Sequence, residues 1–127
     1  MDTSDFKALD HLNTEIIILD GKNFELLWIN DSAKAANWIG DSTIFEGKTI
    51  SSLLDDETGA QINQILLKAR KNSGSVTKRD FEIIHHSGLS RTVDLTITFS
   101  DKKNLIFVEA VSIDNLNKII DSTKSFS

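Results

Sequence analysis

Residues 15–40 read EIIILDGKNFELLWINDSAKAANWIG, and the order of elements within them sets the architecture. Ile16-Ile17-Ile18-Leu19 is an apolar run rich in β-branched side chains, suited to a central strand. Asp20-Gly21-Lys22-Asn23 is turn chemistry, because glycine takes positive φ freely and Asp or Asn side chains bond their own backbone. Leu26-Leu27-Trp28-Ile29 then reads as a second strand, closing a hairpin with the first. Asn30, Asp31 and Ser32 are all good N-caps, and Ala33, Ala36 and Ile39 follow at helical spacing until Gly40. The stretch predicts strand, turn, strand, capped helix.

Toward the N-terminus, Asp2-Thr3-Ser4-Asp5 offers caps for a short flanking helix, residues 1–12, with Phe6, Leu9 and Leu12 on one stripe. Two turns of helix do not return their nucleation cost in water, so this helix needs a surface. That surface is either the outer face of its own sheet or a second copy of the chain. Toward the C-terminus, Asp41-Ser42 can cap a short turn through Thr43, Ile44 and Phe45, ended by Gly47. Residues 49–54 give another short helical segment with Ile50, Leu53 and Leu54. Asp55-Asp56-Glu57 opens one longer helix, whose stripe is Ile62, Ile65, Leu66 and Ala69. Lys68, Arg70 and Lys71 sit toward its end, and Ser73-Gly74 stops it.

Three strands follow, at residues 76–84, 91–99 and 105–112, with turns at 85–88 and 100–104. In the middle one Val93, Leu95, Ile97 and Phe99 share a face opposite Thr92, Asp94, Thr96 and Thr98. The last is apolar at nearly every position, the pattern of a central strand covered on both sides. Ile113, Leu116, Ile120 and Thr123 then return to helical steps, so residues 114–127 read as the start of an amphipathic or coiled-coil helix.

At 127 residues the chain is one domain with room for a single core. The absence of cysteine excludes disulfides, thiolate metal sites and a cysteine nucleophile. No apolar run approaches the ~20 residues of a membrane helix, and no signal-peptide pattern opens the chain, so a cytoplasmic protein without membrane contact is expected. Nineteen acidic against fourteen basic residues give a net charge of −5, which argues against nucleic acid as a partner.

The order ββ-helices-βββ, with LLWINDSAKAANWIG as its strand–Asn–small-residue helix–Gly signature, resembles that of PAS domains. DFEIIHHSGLSRTVDLTITF and LIFVEAVSIDN extend the likeness over residues 9–115. More narrowly, LDHLNTEIIILD and VEAVSIDNLNKI resemble the N-terminal PAS domain of nitrogen-regulation sensor histidine kinases of the NtrB type. The resemblance implies an α+β fold: a five-stranded antiparallel sheet with short helices and one longer helix on one face, plus the flanking helix. It places the PAS domain at residues 13–113. It also implies a homodimeric regulatory module that passes its signal to a histidine-kinase core. No His-Glu phosphoacceptor pair on a long helix and no glycine-rich nucleotide box occurs in this chain, so it is expected to be no enzyme by itself.

PAS domains often hold a small molecule between the inner sheet face and the short helices. Here that implies a pocket lined by Ile17, Leu19, Phe45, Leu54 and Phe107, with Glu109 as its polar member. A flavin adduct or a thioester-linked chromophore needs a cysteine, and a haem would look for a histidine in residues 55–71, where there is none. No cofactor and no metal is therefore expected. His85 and His86 fall in a hairpin turn and are expected to be exposed, and His11 to be an ordinary half-exposed helix residue. Trp28 and Trp38 are expected in the core.

Glu109 interrupts an apolar strand and is either buried, needing a partner, or paired with Arg91 or Lys78, or exposed at the strand end. Phe6, Leu9 and Leu12, with outward-facing Ile16 and Ile18, form the candidate dimer interface, because that outer sheet face is too apolar to stay wet. Three functions are ranked in this order: a dimeric contact-transmitting module, a small-molecule sensor, and a cone-shaped enzyme using Glu109 or Asp94 as a general base.

Overall fold

The computed structural model describes residues 14–36, 38, 47–85 and 88–113. Strands β1 (Glu15–Asp20) and β2 (Leu26–Ile29) form the expected hairpin, followed by a short helix α1 (Asp31–Ala35). A short 3-10 turn (Ile50–Leu53) leads into the long helix α2 (Asp56–Asn72). Strands β3 (Ser75–Ile84), β4 (Ser90–Ser100) and β5 (Leu105–Ser112) complete one antiparallel sheet of order β2-β1-β5-β4-β3. The flanking helix expected over residues 1–12, the continuation over 114–127, and Phe45 lie outside the described residues.

Alternation divides the sheet into two faces. Ile17, Leu19, Val93, Leu95, Ile97, Ile106, Val108 and Ala110 point to the side where Ala33, Trp38, Ile50, Leu54, Ile62, Leu66 and Ala69 close a common core. On the other side Ile16, Ile18 and Leu105 form a smaller apolar cluster with Leu27, Trp28 and Phe107. β5 is central, as its two-sided apolar pattern predicts: it carries Val108 into the main core and Leu105 into the opposite cluster.

Local chemistry fixes where the helices begin. The buried Asn30 side chain accepts hydrogen bonds from the amides of Ala33 and Ile16, both at 3.0 Å, and donates to the Thr14 carbonyl at 2.8 Å. One side chain thus caps α1 and ties it to β1. Asp55 caps α2 by accepting from the Thr58 amide at 2.8 Å, and Ser73 ends the helix in a left-handed conformation.

Near the far end of α2, Arg70 donates to the carbonyls of Gly21 and Lys22 and lies 4.6 Å above the Phe24 ring, stapling the long helix to the first hairpin turn. Gly21 must be glycine there, since a Cβ would stand 2.7 Å from the Asn104 carbonyl oxygen. Gly59 is constrained in the same way, because a Cβ would meet the Ser51 carbonyl oxygen at 2.9 Å, where α2 crosses the 3-10 turn.

Gly→Ala inside an ordinary helix stabilises by up to ~1 kcal/mol. Gly59→Ala is expected to do the opposite, lowering stability by about 1–3 kcal/mol through overpacking. Urea denaturation midpoints check the sign.

Candidate functional site

The same alternation that builds the core carries three polar side chains to one end of its inner face. Glu15 precedes Ile17 and Leu19 by two-residue steps, Arg91 precedes Val93 and Leu95, and His85 follows Ile83. β1 and β4 flank β5, pairing Glu15 with Ala110 and Val93 with Ser112, so the starts of β1 and β4 lie at the same end of the sheet. His85 is held by helix-layer contacts just before it. The Ile84 carbonyl accepts from the Asp55 amide at 2.9 Å, the Ile84 amide donates to the Thr58 hydroxyl at 3.4 Å, and His85 itself bridges to Leu54. Trp38, beyond α1, closes the cluster.

The contacts are specific. Arg91 grips Glu15 with both terminal nitrogens, Nη1 donating to Oε2 at 2.8 Å and Nη2 donating to Oε1. Trp38 Nε1 donates to the same Oε1 at 2.6 Å. Arg91 Nε donates to His85 Nε2 at 3.3 Å. The guanidinium stands 5.4 Å from the Trp38 ring, and the Trp38 and His85 rings meet edge to face at 5.8 Å. Glu15, His85 and Trp38 are only 6%, 3% and 1% exposed.

Because His85 Nε2 accepts a hydrogen bond, the ring is neutral and its single proton sits on Nδ1. That Nδ1 is buried and has no hydrogen-bond partner. Burial first, then the charge of Arg91, hold the His85 pKa below the ordinary 6.5, against an opposing pull from Glu15.

The structure redistributes the residues expected to line a pocket. Ile17, Leu19 and Leu54 do meet in the main core. Phe107 and Glu109 do not join them: Phe107 pairs with Ile18 and Glu109 with Ile16, so both lie on the opposite face, where Glu109 is exposed. The physical reason is parity. Antiparallel partners point to the same side, so residues opposite Ile16 and Ile18 cannot share a face with Ile17.

Arg91 is bound to Glu15 instead of Glu109, and Asp94 accepts from the Asp80 amide at 3.2 Å on the same outer face, so neither Glu109 nor Asp94 faces an apolar cavity. His85, expected in an exposed turn, is buried, because the turn begins only after it. His86 lies outside the described residues. Ile16 and Ile18 face outward as expected, yet each is buried.

Glu15 was legible in principle: it keeps step with Ile17 and Leu19, as Arg91 does with Val93. Extending each alternation by one position would have put opposite charges on the same buried face. A separate open concavity of about 480 Å³, lined by Gln61, Gln64, Ile65, Lys68, Lys78 and Phe81, lies between α2 and β3 and shares no residue with this cluster. Among the described residues no group of three or more His, Asp and Glu side chains is placed to hold a metal ion, and no helix is long and apolar enough to cross a membrane.

No protein-family model and no curated protein matches the sequence. Solved structures do. The PAS domain of nitrogen regulation protein NR(II) from Vibrio parahaemolyticus superposes with a TM-score of 0.64 at 16% identity, over 88% of this chain and 98% of that one. The PAS domain of the RpfR quorum-sensing receptor from Cronobacter turicensis, in complex with BDSF, gives 0.63 at 16%, over 81% and 96%. A domain of a sensory box sensor histidine kinase/response regulator from Geobacter sulfurreducens gives 0.58 at 16%, over 85% and 91%. The chain has the PAS fold.

Arg91→Met leaves Glu15 buried with Trp38 as its one remaining strong donor among these contacts, and is expected to cost about 3–5 kcal/mol. Adding Glu15→Met to it should recover most of that loss. A double-mutant cycle by chemical denaturation measures both. For His85, the unfolded chain takes up a proton before the folded one does, so acid favours unfolding. The stabilisation is complete above the ordinary histidine value of 6.5 and is lost as pH falls through the lower folded-state pKa. His85→Gln should flatten stability across that window, as read by urea midpoints at successive pH values.

Proposed function

We propose that this chain is the sensory PAS module of a two-component histidine kinase of the nitrogen-regulation type, acting as a homodimer and transmitting to a kinase core. The module itself performs no catalysis and works without a cofactor, in the cytoplasm. The observation that carries the reading is the outer sheet face. Leu27, Trp28, Ile16, Ile18, Leu105 and Phe107 form an apolar cluster across β2, β1 and β5, bordered by the exposed Glu109 opposite Ile16, and no residue of the described helices belongs to that cluster. Ile16, Ile18 and Leu105 are already buried within one copy, so association would use the half-buried Leu27, Trp28 and Phe107 at the margin of the cluster. The fold-level likeness to PAS domains of NR(II) and of sensor histidine kinases supports the same class of role.

The interface is proposed to join Phe6, Leu9 and Leu12 from the N-terminal stripe with the sheet residues Ile16 and Ile18. Because those two isoleucines are buried within a single copy, the partner's contacts would extend to Trp28, Phe107 and the 42%-exposed Val111 beside them.

A second reading, a small-molecule sensor with its ligand in the core, is favoured by one observation. His85 Nδ1 is a buried donor without an acceptor, a gap that an oxygen-bearing ligand would fill. Ile17, Leu19, Leu54 and Phe45 would line such a site. The RpfR domain similar to this chain was solved in complex with BDSF.

Native mass spectrometry of freshly purified protein, with a denatured control, tests both readings together. A dimer at protein-only mass is the expected result. Val111→Glu should weaken that dimer by about tenfold or more, the scale of an interface hot spot, without changing the fold. A monomeric wild type, or a dimer indifferent to Val111→Glu and Phe107→Glu, would count against the proposed surface. Extra mass released on denaturation would favour the sensor.

A further inference from the structure

The Glu15–Arg91–Trp38–His85 cluster contains one proton-accepting position whose occupancy changes the hydrogen-bond arithmetic of all four residues. We infer that it is an acid-operated latch: a proton on His85 releases its ring from Arg91 and takes from Trp38 one of the contacts that hold it in the cluster. As an input to a sensory module the latch rests on the regulatory reading above. Its chemistry does not, and the test below reads only the chemistry.

The closed cluster admits only neutral His85. Its Nε2 lies 3.3 Å from Arg91 Nε and accepts the hydrogen bond that Arg91 donates. Protonation puts N–H on both ring nitrogens, so at Nε2 a donor would face a donor and a cation would face a cation. One carboxylate, Glu15, serves the site, and its oxygens already take both Arg91 terminal nitrogens and the Trp38 indole. Nδ1–H has no acceptor in the closed cluster.

Among the described residues no other neighbour supplies a counter-charge. From the helix layer His85 meets Leu54, while the following Asp55 turns its carboxylate to the Thr58 amide to cap α2. Glu82, on β3, is exposed and accepts from the Ser90 hydroxyl. A protonated ring therefore finds its missing acceptors only in water.

The way out is short. His85 is the last residue before the β3–β4 turn, where its amide donates to the Leu89 carbonyl and its carbonyl accepts from the Gly88 amide, both at 2.8 Å. Gly88, at φ +94°, supplies a conformation that most residues avoid. Swinging the ring outward breaks the hydrogen bond from Arg91 Nε and removes the edge-to-face partner of Trp38, while the main-chain bridge to Leu54 remains. Arg91 and Glu15 stay paired. The consequence of acid is a local opening at one end of the sheet, with the centre of the sheet intact.

The experiment is an NMR titration of the 15N-labelled chain from about pH 8 to about pH 5, the range in which histidines charge. It follows the His85 ring nitrogens and the indole N–H groups of both tryptophans. The expected result is a neutral Nδ1–H tautomer at high pH, then a single step in which His85 takes up its proton and the Trp38 indole N–H shifts. In that step its solvent exchange, corrected for intrinsic rate, rises by about tenfold or more. Trp28 on the outer face, and the Leu95 and Val108 amides, are expected to keep their signals and protection. His85→Gln should abolish the Trp38 step.

Three outcomes overturn the inference: His85 titrating while Trp38 is unchanged, His85 staying neutral until the whole sheet unfolds, or the Trp38 step persisting in His85→Gln. Should that variant fail to fold, the co-titration of His85 and Trp38 in the wild type decides.

Discussion

A carboxylate inside a protein is tolerated only where a cation and donors replace the water it has lost. Glu15 is such a carboxylate, and the cation that answers it, Arg91, stands 76 residues further along the chain. That single requirement couples the first strand to the fourth across the central β5. It recruits Trp38 from beyond α1 as a third donor and fixes the tautomer of His85 through the remaining Arg91 nitrogen. The apolar core supplies most of the driving force for collapse. A buried ion pair adds little net energy to that collapse but penalises arrangements that separate its members.

The helical layer is held to the sheet by a few polar ties at its margins. Asn30 joins the start of α1 to β1, the Asp55–Thr58 segment joins the start of α2 to the end of β3, and Arg70 joins the end of α2 to the first hairpin turn. Between them the contacts are van der Waals packing of Ile, Leu, Val and Ala, which hold the layers together without directional preference. A fold tied in this way changes shape most readily where a polar tie can be switched. At the inner end of β3 a titratable ring, His85, sits between Arg91 and the start of α2.

The two sheet faces divide the work. The inner face is filled by the helices and by the charge cluster. The outer face carries an apolar cluster over β2, β1 and β5 bordered by Glu109, and is threonine-rich over β4, where Thr96 and Thr98 hydrogen-bond to Thr77 and Ser75.

The sequence by itself determined the local elements. The hairpin at Asp20-Gly21, the capped start at Asn30, the stripe of α2 from Ile62 to Ala69 and the alternation of β4 all arise from interactions between near neighbours, and their spans agree closely with the structure. β5 could be read as central from its own pattern. The tertiary structure decided everything that depends on which strand lies beside which. Pairing of Ile16 with Glu109 and Ile18 with Phe107 sent those residues to the outer face, because side-chain parity is inherited from the partner strand. The burial of His85 was likewise invisible in local patterns, and alternation sends Glu15 and Arg91 to buried faces without showing that the two meet. Each residue looks like an ordinary polar strand end until sheet order and the start of α2 bring the three together, since a long-range contact is specified by the summed packing of the core rather than by neighbours in the chain.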